Sequence, residues 1–180
     1  MLKINLNQFL TEVHQNAKEH GWWAEERSEG TIRALFHAEL SEALEEYRSK
    51  RPMMWYDGEK PEGIAVELID CVIRIMDYVG KEEIELLFED PEQIAKEATN
   101  AYEYEEGAEK VENLELPDFV DELHTTIAQL AFDPDPVYYD TIIGLVFAWI
   151  ERHGLDPVEI MLRKHVYNKK RPYKHGGKVC

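Results

Sequence analysis

The stretch that decides the fold is AVELIDCVIRIM, residues 65–76, in which nine of the twelve side chains are apolar. The exceptions Glu67, Asp70 and Arg74, with Asp77 just beyond, stand at positions i, i+3, i+7 and i+10, so on a helix they form one stripe. A helix that is apolar on almost every other side is a buried helix. We therefore predict that these acidic side chains line a seam inside the protein.

A second acidic stripe, Glu39, Glu42 and Glu46, lies one segment earlier at the same kind of helical spacing. If the two helices pack face to face, Glu39 and Glu42 meet Glu67 and Asp70. Four buried carboxylates need a counter-charge, which either basic side chains or a divalent cation could supply. Oxygen ligands without accompanying His or Cys favour Mg2+, or Mn2+, over zinc and copper.

A metal at this seam would indicate phosphate chemistry, because Mg2+ held by carboxylates usually keeps waters and recruits substrate phosphates. The alternative is a salt-bridged seam, in which Arg33, Arg48 or Arg74 neutralises the acids. A di-iron carboxylate bundle is a further hypothesis, but it normally uses Glu-x-x-His pairs. Neither pair here ends in His, since His37 precedes Glu39 and lies on another face.

Composition excludes several classes of protein. The 180 residues suit one domain, and the formal net charge of -17, from 37 acids against 20 Lys and Arg, argues against broad nucleic-acid binding. Cys71 lies inside the apolar helix and Cys180 is the last residue, which is no disulfide framework and predicts a reducing cytoplasm. No apolar run approaches the roughly 18 residues that span a bilayer, so we expect no membrane association.

Hydrophobic periodicity predicts an all-α bundle with no convincing strand. We expect a metal-binding half (residues 1–80), an acidic, solvated helix plus linker (81–115) and a second helical half with a basic tail (116–180). Six helices are predicted with clear limits. The first five run from near Ile4 to near Gly21, from Thr31 to about Lys50, from Glu62 to Val79, from Pro117 to about Phe132 and from Val137 to His153. The last begins after an N-cap at Asp156 and continues into Tyr167.

The two helical halves show a weak internal likeness. Residues 36–40 and 67–80 can be laid over residues 119–123 and 141–154. Three of the four seam acids are absent from the second copy, which would then be a degenerate, structural repeat. The alternative is that any two amphipathic helices align this well.

The end of the chain is basic, and no acid follows Glu159. A cationic segment beside a metal–carboxylate seam would suit a polyphosphate. A frayed basic terminus and a tail that screens the acidic body are the alternatives, and the net charge argues against single-stranded nucleic acid. The basic residues of this tail are Arg163, Lys164, Lys169, Lys170, Arg171, Lys174 and Lys178.

These motifs resemble the MazG-like family of all-α nucleoside triphosphate pyrophosphohydrolases, whose pattern is Glu-x-x-Glu, a spacer, then Glu-x-x-Asp. Here the pattern reads Glu39-Leu-Ser-Glu42, 24 intervening residues, then Glu67-Leu-Ile-Asp70. The resemblance covers most of the chain outside its acidic middle. It extends to HGWW at 20–23, FHAELSEALEEYRSKRP at 36–52, KPEGIAVELIDCVIRIMDYVG at 60–80 and YNKKRPYKHGGK at 167–178.

The resemblance implies hydrolysis between the α- and β-phosphates of a nucleoside triphosphate, giving the monophosphate and pyrophosphate. It implies that Glu39, Glu42, Glu67 and Asp70 hold Mg2+ and that a glutamate, Glu39 or Glu42, orients the attacking water. Another metal-dependent nucleotide phosphohydrolase, such as a dUTPase-like enzyme, and a non-catalytic acidic interaction protein are the alternatives.

The same resemblance suggests substrate-binding residues and an assembly. Lys164, Asn168, Lys169 and Arg171 are candidates for a phosphate clamp. Trp22 and Trp23 are candidates for stacking the base, with packing in the core as the alternative for both. Minimal family members build their site from several subunits, whereas this longer chain is similar to the larger deoxyuridine-nucleotide-hydrolysing relatives, and we expect a homodimer. Arg74 and Asp77 are expected to pair with each other, and Glu46 to lie outside the metal site.

Overall fold

The computed structural model describes residues 1–103 and 113–174, whose regular secondary structure is helical apart from one short hairpin, so the all-α prediction is confirmed. None of the described helices is both long enough and apolar enough to cross a membrane. In chain order the elements are α1 (Leu6–Glu19), α2 (Glu29–Arg48), β1 (Trp55–Asp57), β2 (Lys60–Glu62), α3 (Ile64–Lys81), α4 (Pro91–Glu103), α5 (Leu116–Gln129), α6 (Val137–Arg152) and α7 (Pro157–Asn168).

The expectation of no strand was wrong at one short hairpin. Strands β1 and β2 pair antiparallel, with Tyr56 opposite Pro61, in the connection between α2 and α3. Three-residue strands are too short to show the two-residue alternation by which strands are recognised. The hairpin leads directly into α3 through Gly63, whose φ of +114° and close approach to the carbonyl oxygens of Pro52 and Met53 exclude a side chain.

Helix α3 is the centre of the bundle, as its sequence predicted. It packs against α1, α2, α6 and α7, and its apolar residues from Ile64 to Val79 are buried. Each fully buried aliphatic side chain of this kind contributes about 1.5–3 kcal/mol of hydrophobic stabilisation. Among the buried residues of α3 is Glu67, so the fold carries an acidic group into its own core.

Local signals set several helix ends. The Ser28 hydroxyl accepts a hydrogen bond from the Thr31 amide at 3.2 Å, so α2 begins earlier than the predicted Thr31. The Asp156 carboxylate caps α7 as predicted and accepts from the Val158 amide at 2.9 Å. These caps satisfy amides that a helix cannot pair internally.

Helix α4 lies in the segment that was predicted to be an acidic, solvated helix, but one of its faces is buried. Ile94, Ala95 and Ala98 of α4 are buried against α6. Gly144 of α6 permits this contact, because a Cβ there would lie 2.4 Å from the Ile94 carbonyl oxygen and 2.5 Å from the Ala98 Cβ. The linker prediction for residues 104–112 lies outside the described residues, and the internal repeat stays a prediction.

Substituting Gly144 with Ala should destabilise the protein by about 1–3 kcal/mol, although Ala is intrinsically the better helix former. The added methyl group would force α4 away from α6. Gly30→Ala is the matched control, since a Cβ there would meet only the Ser28 Oγ at 3.8 Å. The check is urea unfolding of both variants. An unchanged midpoint for Gly144→Ala would show that the two helices do not pack this closely.

Candidate metal centre

Three of the four predicted metal ligands converge where α2 packs on α3. Glu39 comes from α2, and Glu67 and Asp70 come from successive turns of α3. One carboxylate oxygen from each lies within 4.8 Å of the others. Glu39 and Glu67 are each only 5% exposed, and Asp70 is half-buried. The arrangement therefore concentrates up to three negative charges in a largely dry seam.

Glu42, the fourth predicted ligand, lies outside this group and is exposed. Three residues on an α-helix turn through about 300°, so Glu42 is rotated about 60° from Glu39, toward solvent. Its charge still contributes to raising the pKa of Glu39. The structure thus places Glu42 at the rim of the site rather than in it.

The protonation of the seam reflects its burial. Burial, followed by the charge of Asp70, raises the pKa of Glu67 to about 9, and Glu67 shares a side-chain hydrogen bond with Glu62 at the end of β2. Burial also raises the pKa of Glu39, against the opposing effect of Arg74. Carboxylates whose pKa values rise in this way lack sufficient positive charge around them.

Two basic side chains partly balance the seam. The Lys164 ammonium group of α7 is 2.7 Å from the Asp70 carboxylate and 3.4 Å from the Pro61 carbonyl oxygen, and only 2% of its side chain is exposed. Burial acts to lower the pKa of Lys164, but the charge of Asp70 raises it overall. The Arg74 guanidinium donates a hydrogen bond to Glu39.

The predicted pairing of Arg74 with Asp77 was wrong. Asp77 instead accepts a hydrogen bond from the Trp23 indole at 2.8 Å and lies 2.8 Å from the His14 ring nitrogen. The reason is tertiary: α1 and the segment after it cover this end of α3, and Arg74 reaches across to Glu39 on α2.

The other arginines considered for the seam do not reach it. Arg33 pairs with Glu29 at 3.3 Å, and Arg48 pairs with Glu45 at 3.2 Å, and both pairs lie within α2. Glu46, which was expected outside the metal site, accepts a hydrogen bond from the Trp55 indole at 2.7 Å.

A cleft opens beside the carboxylates. Glu39 and Asp70 line it, and so do several of the predicted substrate-binding residues. Apolar side chains of α1, α2 and α3 line the rest, including Phe36 and Ile73. Its polar and aromatic lining outside the seam consists of Asn16, Trp22, Trp23, Arg27, Arg74, Asp77, Tyr78, His165, Asn168 and Arg171.

The predicted phosphate clamp is only partly assembled. Asn168 and Arg171 line the cleft, and the Asn168 Oδ1 is buried with no hydrogen-bond partner among the described residues. Lys164 contacts Asp70 rather than open space. Lys169 lies outside the cleft, where its half-exposed side chain is 3.8 Å from Glu12. Asn168 is the last residue of α7, and the Arg171 amide donates a hydrogen bond to the Asn168 carbonyl oxygen at 3.2 Å, so a turn after the helix brings these two residues together.

Sequence reasoning missed three residues at or beside the site, Glu62, Arg27 and His14, and it missed the role of Asp77. Arg27 lies over both tryptophans, with its guanidinium carbon 5.5 Å from the centroid of Trp22. A basic residue close after the Trp pair was the available signal for Arg27. The contact between His14 and Asp77 joins segments distant in sequence, and no local pattern marks it. Glu62 belongs to the hairpin that the sequence did not predict.

Comparisons of the chain with protein-family models, with curated proteins and with solved structures found no match. The resemblance to the MazG-like family therefore stays a prediction based on the quoted motifs.

The raised pKa of Glu67 predicts how stability depends on pH in the metal-free protein. In the folded state the Glu67 carboxyl group keeps its proton up to about pH 9, whereas the ordinary pKa of a glutamate side chain is 4.5. Between these values the folded state binds more protons than the unfolded state, so ionisation costs stability as the pH rises. Glu67→Gln removes this cost, so it should gain on the wild type by roughly 1 kcal/mol or more by pH 9.

The measurement is urea unfolding in EDTA from pH 5 to pH 9, expressed as the difference between variant and wild type. The exposed Glu45→Gln is the control and should give a difference that is independent of pH. A flat difference for Glu67→Gln would contradict the raised pKa.

Proposed function

We propose that the protein is an Mg2+-dependent nucleoside triphosphate pyrophosphohydrolase that releases a nucleoside monophosphate and pyrophosphate. The observation that carries the proposal is the group of Glu39, Glu67 and Asp70, with oxygens within 4.8 Å of one another, beside a cleft with aromatic and cationic walls. A nucleotide needs both features, since its phosphates require positive charge and its base requires an apolar face.

The donor set fits a hard divalent cation. All three groups offer carboxylate oxygens, and the described residues bring no His or Cys into the group, which suits Mg2+ and also Mn2+. The raised pKa values of Glu39 and Glu67 support a deficit of positive charge that a cation would offset. When bound, Mg2+ supplies positive charge for the phosphates and favours ionisation of water.

Other residues that line the cleft are candidates for binding the phosphates and the base. Arg171, with a pKa lowered by burial in the cleft, gains a partner when a phosphate binds there. The Asn168 amide can hydrogen-bond substrate in the same cleft. Trp22 and Trp23 offer indole faces to the base.

Glu39 is the better candidate for accepting the proton of the attacking water. It lines the cleft, whereas Glu42 is exposed at the rim. Glu42 is left with an electrostatic contribution from the rim.

A second candidate function is a non-catalytic, acidic helical protein that binds a partner. The observation in its favour is that Arg74 and Lys164 already pair with Glu39 and Asp70 without a metal. These two cations balance Glu39 and Asp70, and the third carboxyl group, Glu67, stays neutral only by keeping its proton. A divalent cation would let Glu67 ionise, and for this reason we favour the metal-dependent hydrolase.

Asp70→Asn and Glu39→Gln should each lower Mg2+-dependent pyrophosphate release by about 100-fold or more, since even residues behind a metal ligand commonly cost 10–100-fold. The assay follows pyrophosphate and monophosphate from a panel of ribo- and deoxynucleoside triphosphates. Glu45→Gln is the control and should be fully active, because Glu45 is exposed on α2, the helix that carries Glu39.

The products decide between the candidates. Release of inorganic phosphate, without pyrophosphate, would indicate a different metal-dependent phosphohydrolase. Absence of turnover with both Mg2+ and Mn2+, together with no stabilisation by either ion, would favour the interaction protein.

Mg2+ binding should release a proton. Below about pH 9 the folded, metal-free protein holds Glu67 protonated, and a carboxylate must ionise to bind the ion. Calorimetry at pH 7 in two buffers of different ionisation enthalpy should give close to one proton released per ion, falling toward zero above pH 9. Glu67→Gln should abolish this release. Binding without proton release in the wild type would place the ion elsewhere.

A further inference from the structure

A hydrogen-bonded group formed by His14, Asp77 and Trp23 borders the cleft. The Asp77 Oδ1 accepts from the Trp23 indole nitrogen at 2.8 Å and lies 2.8 Å from His14 Nδ1. His14 belongs to α1 and Asp77 to α3, while Trp23 follows α1 in an irregular segment. A residue of a connecting segment is thereby tied to the central helix of the bundle.

Two basic groups lie near the Trp23 ring, which also lines the cleft. The Lys81 ammonium nitrogen lies 5.4 Å from the ring centroid, and the Arg27 guanidinium carbon lies 5.7 Å from it. Arg27 also donates a hydrogen bond to the Trp22 carbonyl oxygen. Cations at such distances are attracted to the indole face. The orientation of this indole is therefore set by a carboxylate at one edge and by basic groups beside the ring.

Helix geometry fixes the distance between this group and the carboxylates. Asp77 follows Asp70 by seven residues, which is two turns, so both face the same side of α3 about 10 Å apart along the axis. Both line the cleft, together with Trp23. Since Trp23 is bound directly to Asp77, the rigid helix, and not the connecting segment, sets the separation between the aromatic wall and the metal ligands.

We propose that Asp77 is a positioning residue that holds Trp23 at a fixed distance from Glu39, Glu67 and Asp70, so that the cleft selects ligands carrying an aromatic base one sugar unit away from the reacting phosphate. The identity of the ligand as a nucleotide rests on the proposed function. Asp77 acts through Trp23 and lies outside the carboxylate group of Glu39, Glu67 and Asp70.

The test compares Asp77→Ala with Asp77→Asn, which keeps an oxygen that can accept from the indole. For nucleoside triphosphate hydrolysis, Asp77→Ala should raise KM about tenfold and change kcat less than threefold, since base–aromatic contacts are commonly worth a factor of this size. Asp77→Asn should restore KM to within about threefold of the wild type. Thermal unfolding and Mg2+ affinity, measured in parallel, should show that the Ala variant is folded and binds the ion normally.

A double-mutant cycle separates positioning from general damage. Trp23→Phe should raise KM by about the same factor as Asp77→Ala, and the double variant should be no worse than either, because both changes remove one interaction. Additive losses, or an unchanged KM for Asp77→Ala, would overturn the proposal.

A binding measurement tests the positioning role of Asp77 independently of hydrolysis. If the wild type turns over no triphosphate, calorimetry with nucleoside monophosphates in Mg2+ replaces KM. Binding that weakens about tenfold in Asp77→Ala and recovers in Asp77→Asn then supports the positioning role even though the proposed reaction has failed. Absence of nucleotide binding by the wild type overturns the positioning role as well.

Discussion

The structure depends on one electrostatic constraint, the burial of carboxylates on an otherwise apolar helix. Glu67 occupies the core-facing side of α3, and Asp70 and Glu39 lie beside it. Isolated buried charges are prohibitively costly, so each buried carboxyl group must either be protonated or lie beside a cation. Lys164 from α7 and Arg74 from α3 supply two positive charges, and Glu67 retains its proton up to about pH 9.

This constraint explains why distant parts of the chain meet at the seam. Helix α2 brings Glu39, the β-hairpin brings Glu62, and α7 brings a lysine that is almost fully buried. Buried ion pairs often add little net stability, because desolvation offsets the attraction. Retaining such a group inside an apolar core favours a functional role for it, and the metal-dependent hydrolase that we propose gives the buried Glu67 carboxyl group a role as a ligand.

The same helix organises both ends of the candidate site. Asp70 belongs to the carboxylate group, and Asp77, two turns later, holds Trp23. Side chains from α1, α2, α7 and the segment after α1 then complete the cleft around this axis. A rigid helix is a better base for such an arrangement than a loop, because its rise per residue is fixed.

Periodicity alone determined the helical class, the buried character of α3 and the acidic stripe with Glu67 and Asp70, because these features repeat within a few residues of each other. The three-residue strands lay below the length at which a period can be recognised. Only the tertiary structure decided that Glu42 faces solvent, that Arg74 serves Glu39, and that Asp77 binds Trp23 and His14. These contacts join residues far apart in the chain, and the partner of a charged side chain depends on which helices pack beside it.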